Sequence, residues 1–127
     1  MSVTCQGIAF YDPRHSIKAE AGETIPLGAS CRLASDGKLY VVDNSKSDVC
    51  HGFALEAAVA GQYITLVGYC RMKVGATQTI GARVYTGAVS GGSAPSTTLS
   101  AAGLVVGFAW KADEIVVRAA TVPAADG

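Results

Sequence analysis

Gly22-Glu23-Thr24-Ile25-Pro26-Leu27-Gly28-Ala29 returns, 53 residues further along, as Gly75-Ala76-Thr77-Gln78-Thr79-Ile80-Gly81-Ala82. Two later matches keep the order. Gly52-Phe53-Ala54 returns as Gly107-Phe108-Ala109 at an offset of 55, and Tyr63-Ile64-Thr65-Leu66-Val67 parallels Glu114-Ile115-Val116-Val117-Arg118 at 51. Ordered matches at a nearly constant offset mark a duplication, and the drift is what loop insertions and deletions produce. Each unit opens on G-x-T-x-x-[IL]-G-A and runs through strand, turn and strand to G-F-A and a closing strand. Gly28 and Gly81 suit a turn that needs a positive φ after an apolar anchor, Leu27 or Ile80. Gly52 and Gly107 sit inside strands, where glycine marks a bulge or a close backbone approach. Phe53 and Phe108 follow them and are expected in the core. One such unit is too small to cover its own apolar face, and two packed together close one barrel-like core.

The segments between these landmarks read as strands. Lys38-Leu39-Tyr40-Val41-Val42 follows the turn pair Asp36-Gly37, and the run from Tyr63 to Cys70 follows Ala60-Gly61. Arg83-Val84-Tyr85 precedes a glycine, and Leu104–Trp110 and Glu114–Arg118 flank a turn at Ala112-Asp113. Runs of this length, stopped by Gly, Pro, Asp or Asn, read as an all-β sandwich or barrel rather than βαβ units. A helix, or a single turn, is the only alternative element, at Leu55–Val59. The expected organisation is an N-terminal arm over 1–21, a β domain over 22–119 with copies at 22–70 and 75–119, and a tail over 120–127. The first 21 residues allow two readings. They form an arm that packs on a neighbouring molecule through Phe10, Tyr11, Arg14 and Ile17, or an edge strand of the same domain. Residues 87–103 are small, polar and uncharged, and read as a long hairpin loop or a loop that meets a neighbour.

Composition narrows the function. The chain has 127 residues, enough for one domain that folds without a metal or disulfide staple. Only 16% of residues are charged, below the roughly 25% usual for soluble domains, which points to a surface partly covered by partners. Ten basic residues balance ten acidic ones. The basic residues are scattered along the chain, with Arg71 and Lys73 the tightest group, so nucleic-acid binding is not expected. No run reaches the length of a membrane span, and the N-terminus lacks the charged and apolar regions of a signal peptide. Cys5, Cys31, Cys50 and Cys70 then read as free, buried thiols.

The search for chemistry returns structural readings. Among the four Cys and two His, Cys50-His51 is the one adjacent pair, and neighbours on a strand point to opposite faces, so no metal site is expected. No G-x-S-x-G elbow, P-loop or G-x-G-x-x-G occurs. His15 and His51 lie in different segments, Asp113-Glu114 sits at a turn, and Asp43 and Asp48 bracket a polar loop. No catalytic residues and no cofactor are expected.

Three stretches carry a family resemblance: Ala21 to Asp43 (AGETIPLGASCRLASDGKLYVVD), Val49 to Ala76 (VCHGFALEAAVAGQYITLVGYCRMKVGA) and Leu104 to Arg118 (LVVGFAWKADEIVVR). Together they resemble the head decoration, or cement, proteins of tailed bacteriophages. The resemblance covers about residues 20 to 119, and Ala60-Gly61-Gln62 followed by Tyr63–Val67 and Gly68 is its closest local match. It implies a compact, β-tulip-like barrel domain that forms a homotrimer on the outer capsid surface, made in the host cytoplasm and bound to the major capsid protein of the expanded head. It implies no catalytic residue, and no role for the four cysteines. Two other functions compete: a tail, fibre or adhesin subunit, and a small β-barrel that binds a ligand in a polar pocket.

Overall fold

The computed structural model describes residues 5–42, 50–74, 78–85, 95 and 105–119. They form ten strands and no α-helix: β1 Cys5–Tyr11, β2 Ser16–Ala21, β3 Ser30–Leu33, β4 Lys38–Val41, β5 Gly52–Ala54, β6 Tyr63–Val67, β7 Tyr69–Val74, β8 Arg83–Tyr85, β9 Val105–Lys111 and β10 Glu114–Arg118. The chain is all-β, as its punctuation predicts. Five strands, in the order β2-β4-β3-β5-β6, close into a barrel. The other five form an open sheet in the order β1-β7-β10-β9-β8.

The turns form where the sequence offers the right residues. Gly37 takes φ 82° between β3 and β4, and the Asp36 carboxylate accepts from the Lys38 N–H at 2.9 Å. Gly61 takes φ 95° ahead of β6, where the Gln62 side chain accepts from the Val59 N–H. Both are conformations that residues with a Cβ adopt only at a cost. No helix forms at Leu55–Val59. Ala58 instead bridges Ile25, exchanging N–H and C=O in both directions.

The two sequence copies make the same hydrogen bonds. Gly28 donates to the Ala54 carbonyl and Ala54 to that of Ala29; Gly81 donates to Ala109 and Ala109 to Ala82. Gly28 and Gly81 share the left-handed turn, with φ 78° and 84°. Ile17 opposite Leu66 in the barrel is repeated as Cys70 opposite Val117 in the open sheet. One register differs. Phe53 pairs with Val67, whereas Phe108 pairs with Val116, so β9 sits two residues along β10 relative to β5 on β6. A shift of two keeps every side chain on its own face. Gly75 to Thr77 of the second copy lie outside the described residues, as do the 120–127 tail and, apart from Pro95, the 87–103 segment.

Two cores result. Ile25, Leu39, Ile64 and Leu66 fill the barrel with Ala21, Ala29, Ala54 and Cys31. A second core lies between the barrel's outside and the inner face of the open sheet: Phe53, Val67 and Cys50 from the barrel meet Cys70, Met72, Val84, Ala109, Ile115 and Val117. The second copy therefore packs what would be its barrel interior onto the outside of the first.

Two expectations change here. Residues 5–21 are not a free arm: β1 is the edge strand of the open sheet, paired with β7, and β2 belongs to the barrel, paired with β4 and β6. Of the two readings of this segment, the edge strand is the one observed. The run from Tyr63 to Cys70 is also not one strand. It breaks at Gly68, where the chain leaves the barrel for the open sheet.

Candidate functional site

Phe108 overturns its expected place. It is 48% exposed, while Phe53, its counterpart in the first copy, is wholly buried. The physical reason is the packing of the two copies. Both phenylalanines point outward from their own sheet; the open sheet covers Phe53, and among the described residues nothing covers Phe108. Ile80 is likewise exposed, although Leu27 at the matching position packs against the second core.

The strand register lays out the whole face around Phe108. One row crosses all five strands: Phe10, Arg71, Val116, Phe108 and Arg83. A second row holds Lys73, Glu114 and Lys111. Toward the other end of the sheet, Tyr69 pairs with Arg118 and Tyr85 with Val105. Alternation along each strand sends the intervening residues, such as Met72 and Ile115, into the core. At that end a groove of about 820 Å³ is lined by Tyr69, Val105, Gly107, Phe108, Val116 and Arg118 among others.

Arg71 organises the centre. Its guanidinium stands 5.6 Å from the centroid of the Phe10 ring and 5.3 Å from that of Trp110, both within cation–π reach. It also lies 3.7 Å from the Glu114 carboxylate. Glu114 is buried, and it accepts the Trp110 indole N–H at 2.8 Å. The Lys111 ammonium lies over the Trp110 ring at 4.5 Å, and Phe10 meets Tyr69 edge to face. A buried carboxylate thus neutralises one cation, fixes one aromatic ring, and leaves a mixed aromatic and basic surface around it. The linear sequence scatters Arg71, Lys73, Arg83, Lys111 and Arg118; the fold gathers all five on one sheet face.

The other predicted contact residues do not share one site. Phe10 is on this face. Tyr11 is exposed at the end of β1, and Ile17 is exposed on β2 of the barrel. Arg14 lies in the single 3-10 turn, Pro13–His15, between them. There the Arg14 side chain donates to Asp12, which also accepts the Arg14 backbone N–H and contacts His15 Nδ1. These bonds, the Arg14 side chain first, hold the Asp12 carboxyl down to about 2. At Gly52 an added Cβ would lie 2.6 Å from the Val67 carbonyl oxygen, and at Gly107 it would collide with that of Val116. Both glycines allow two strands to approach closely.

Residues with the makings of chemistry stand apart. His51 is exposed and its Nδ1 accepts the Leu33 N–H at 2.8 Å, while Cys50 beside it points into the core. Among the described residues, no three His, Cys, Asp or Glu side chains are grouped to hold a metal. No described helix is long and apolar enough to cross a membrane.

Sequence reasoning missed the aromatic and basic face because Phe108 and Trp110 read equally well as core in a strand flanked by apolar residues. A usable signal was present: Arg71, Arg83, Lys73 and Arg118 occupy the alternate positions of three strands, which defines a solvent-facing side. Compared with family models, curated proteins and solved structures, the chain matches none.

Proposed function

We propose that the protein is a structural decoration subunit that binds and reinforces the head of a tailed phage. In this reading it sits as a homotrimer on the outer surface of the expanded capsid, holding the major capsid protein against the pressure of packaged DNA. The observation that supports a binding role best is the uncovered face around Phe108. A core phenylalanine position, repeated from Phe53, is left at the surface among Phe10, Tyr69, Trp110 and Val116. Exposed apolar patches framed by polar groups mark protein interaction surfaces. Large aromatics and arginine at the centre of a patch are the residues that dominate binding energy. The capsid assignment rests on the sequence resemblance. Trimeric attachment suits weak single contacts, because linked sites raise the effective concentration of each other.

The test uses purified protein and expanded heads assembled from the major capsid protein of the phage that carries its gene. Saturation at a fixed stoichiometry, with heads that melt at a higher temperature, is the expected outcome. Heads that ignore the protein, or immunogold labelling that places it on the tail, would sink the proposal. Light scattering of the free protein reports the trimer.

A further inference from the structure

We infer that the outer face of the open sheet is the docking surface for an acidic segment of a different protein, taken up through its apolar side chains in the Phe108 groove and its carboxylates on the surrounding cations. This rests on the proposed function and names the chemistry of the partner that function requires. The first observation is the segregation of charge. The chain as a whole is neutral, yet the strands of the open sheet and the turn at Asp113 carry Arg71, Lys73, Arg83, Lys111 and Arg118 against Asp113 and Glu114. Glu114 is buried and already engaged by Arg71 and Trp110. Lys73, Arg83, Lys111 and Arg118 are exposed. They stand around an apolar centre of Val105, Phe108 and Val116, which is the arrangement of an interface with a desolvated middle and a polar rim.

The same geometry discriminates among occupants. Single-stranded nucleic acid would use open aromatic faces on which bases stack. Here cations already stand over Trp110 and Phe10, and the exposed Phe108 alone is a poor platform for a run of successive bases. A second copy of this chain is a weaker complement, because among the described residues most of its carboxylates are already engaged, and the exposed Glu56 and Asp113 stand on separate turns. Asp12 is paired with Arg14, Glu20 with Lys38, Asp36 with Tyr40, and Glu23 with the Val41 N–H. What remains is a foreign protein surface that brings its own carboxylates. Complementary charge then sets the orientation and speeds the encounter.

Trp110 is the only tryptophan, so its fluorescence reports on this face directly. The probe is a synthetic peptide of alternating Glu and Val, free of Trp and Tyr, titrated at low salt beside an equal-length Lys–Val peptide and a thymidine oligonucleotide. The Glu–Val peptide should shift Trp110 emission saturably and lose affinity as salt rises. Lys73→Glu, Arg83→Glu and Arg118→Glu combined should weaken it about tenfold or more, while leaving the melting temperature and the Lys111–Trp110 contact unchanged. Arg32→Glu with Lys18→Glu, on the barrel, should leave binding as it was. Preference for the oligonucleotide or the Lys–Val peptide, or binding indifferent to the triple reversal, overturns the inference. The same variants on expanded heads separate the two claims. Heads that still bind the triple reversal at full stoichiometry refute this docking face and leave decoration standing. A peptide that binds while heads do not refutes decoration and leaves the face standing.

Discussion

Gly107 shows how far a single position constrains this fold. Its φ is not in the left-handed region, so the demand for glycine comes from its neighbour: a Cβ would collide with the Val116 carbonyl, with the carbonyl carbon at 2.8 Å. Backbone cannot swing aside as a long side chain can, so β9 and β10 would have to separate. Gly107→Ala is expected to cost about 3 kcal/mol or more, the range of severe core lesions. Gly37 makes the opposite case. Its φ is 82° and open space surrounds it, so Gly37→Ala should cost only about 1 kcal/mol, the left-handed penalty alone. Urea denaturation of the two variants measures both; equal losses would show that the close approach does not matter. Glycine within a strand pattern made Gly107 readable in the sequence, and the Asp36-Gly37 pair made Gly37 readable as a turn. The facing of Phe108 was not readable, because it depends on what a second sheet covers.

At the scale of elements, the thiols report how firmly each strand is held. Burial pushes the Cys70 thiol up to about 12, and raises Cys31 and Cys5 as well. The thiolate is the reactive form, so at neutral pH these groups should label only when a strand opens. Cys5 lies on β1, an edge strand paired on one side only. Cys31 sits between β4 and β5 in a closed barrel. Labelling with a disulfide reagent should therefore modify Cys5 first and Cys31 only at the rate of global unfolding. Simultaneous modification would mean that β1 does not open separately. The sign of the alkaline effect follows from the same shifts. Native pKa values above the ordinary thiol value leave stability intact below about pH 9, and erode it as pH rises toward 12, because the unfolded chain releases those protons first. The strands themselves were mostly legible from alternation and punctuation. The break at Gly68 was not. Residues on either side alternate in the same way, and nothing in period-two patterning says that a chain has changed sheets.

The whole molecule is a duplication whose two copies meet in unequal surroundings. The repeat was legible as a repeat; its asymmetric packing was not, because identical G-F-A triplets carry no record of which copy lies outside. Phe53 and Phe108 separate the two situations in one experiment. Phe53 lies between barrel and open sheet, so Phe53→Ala opens a cavity in the core that joins them and should cost about 3–5 kcal/mol. Because that core is shared, the wild type should unfold in one transition, and loss of Phe53 is where a second transition would first appear. Phe108 lies on the uncovered face, and Phe108→Ala should change stability by less than about 1 kcal/mol, since little buried area is lost. Its effect should fall on binding instead, as truncation of a central aromatic does. Urea denaturation followed by far-UV circular dichroism and by Trp110 fluorescence reads stability and the coincidence of transitions. Titration with the acidic peptide reads binding. A Phe108→Ala variant as unstable as Phe53→Ala would mean that the second phenylalanine is core after all. One that is stable and binds unchanged would remove Phe108 from the docking surface while leaving the duplicated fold as described.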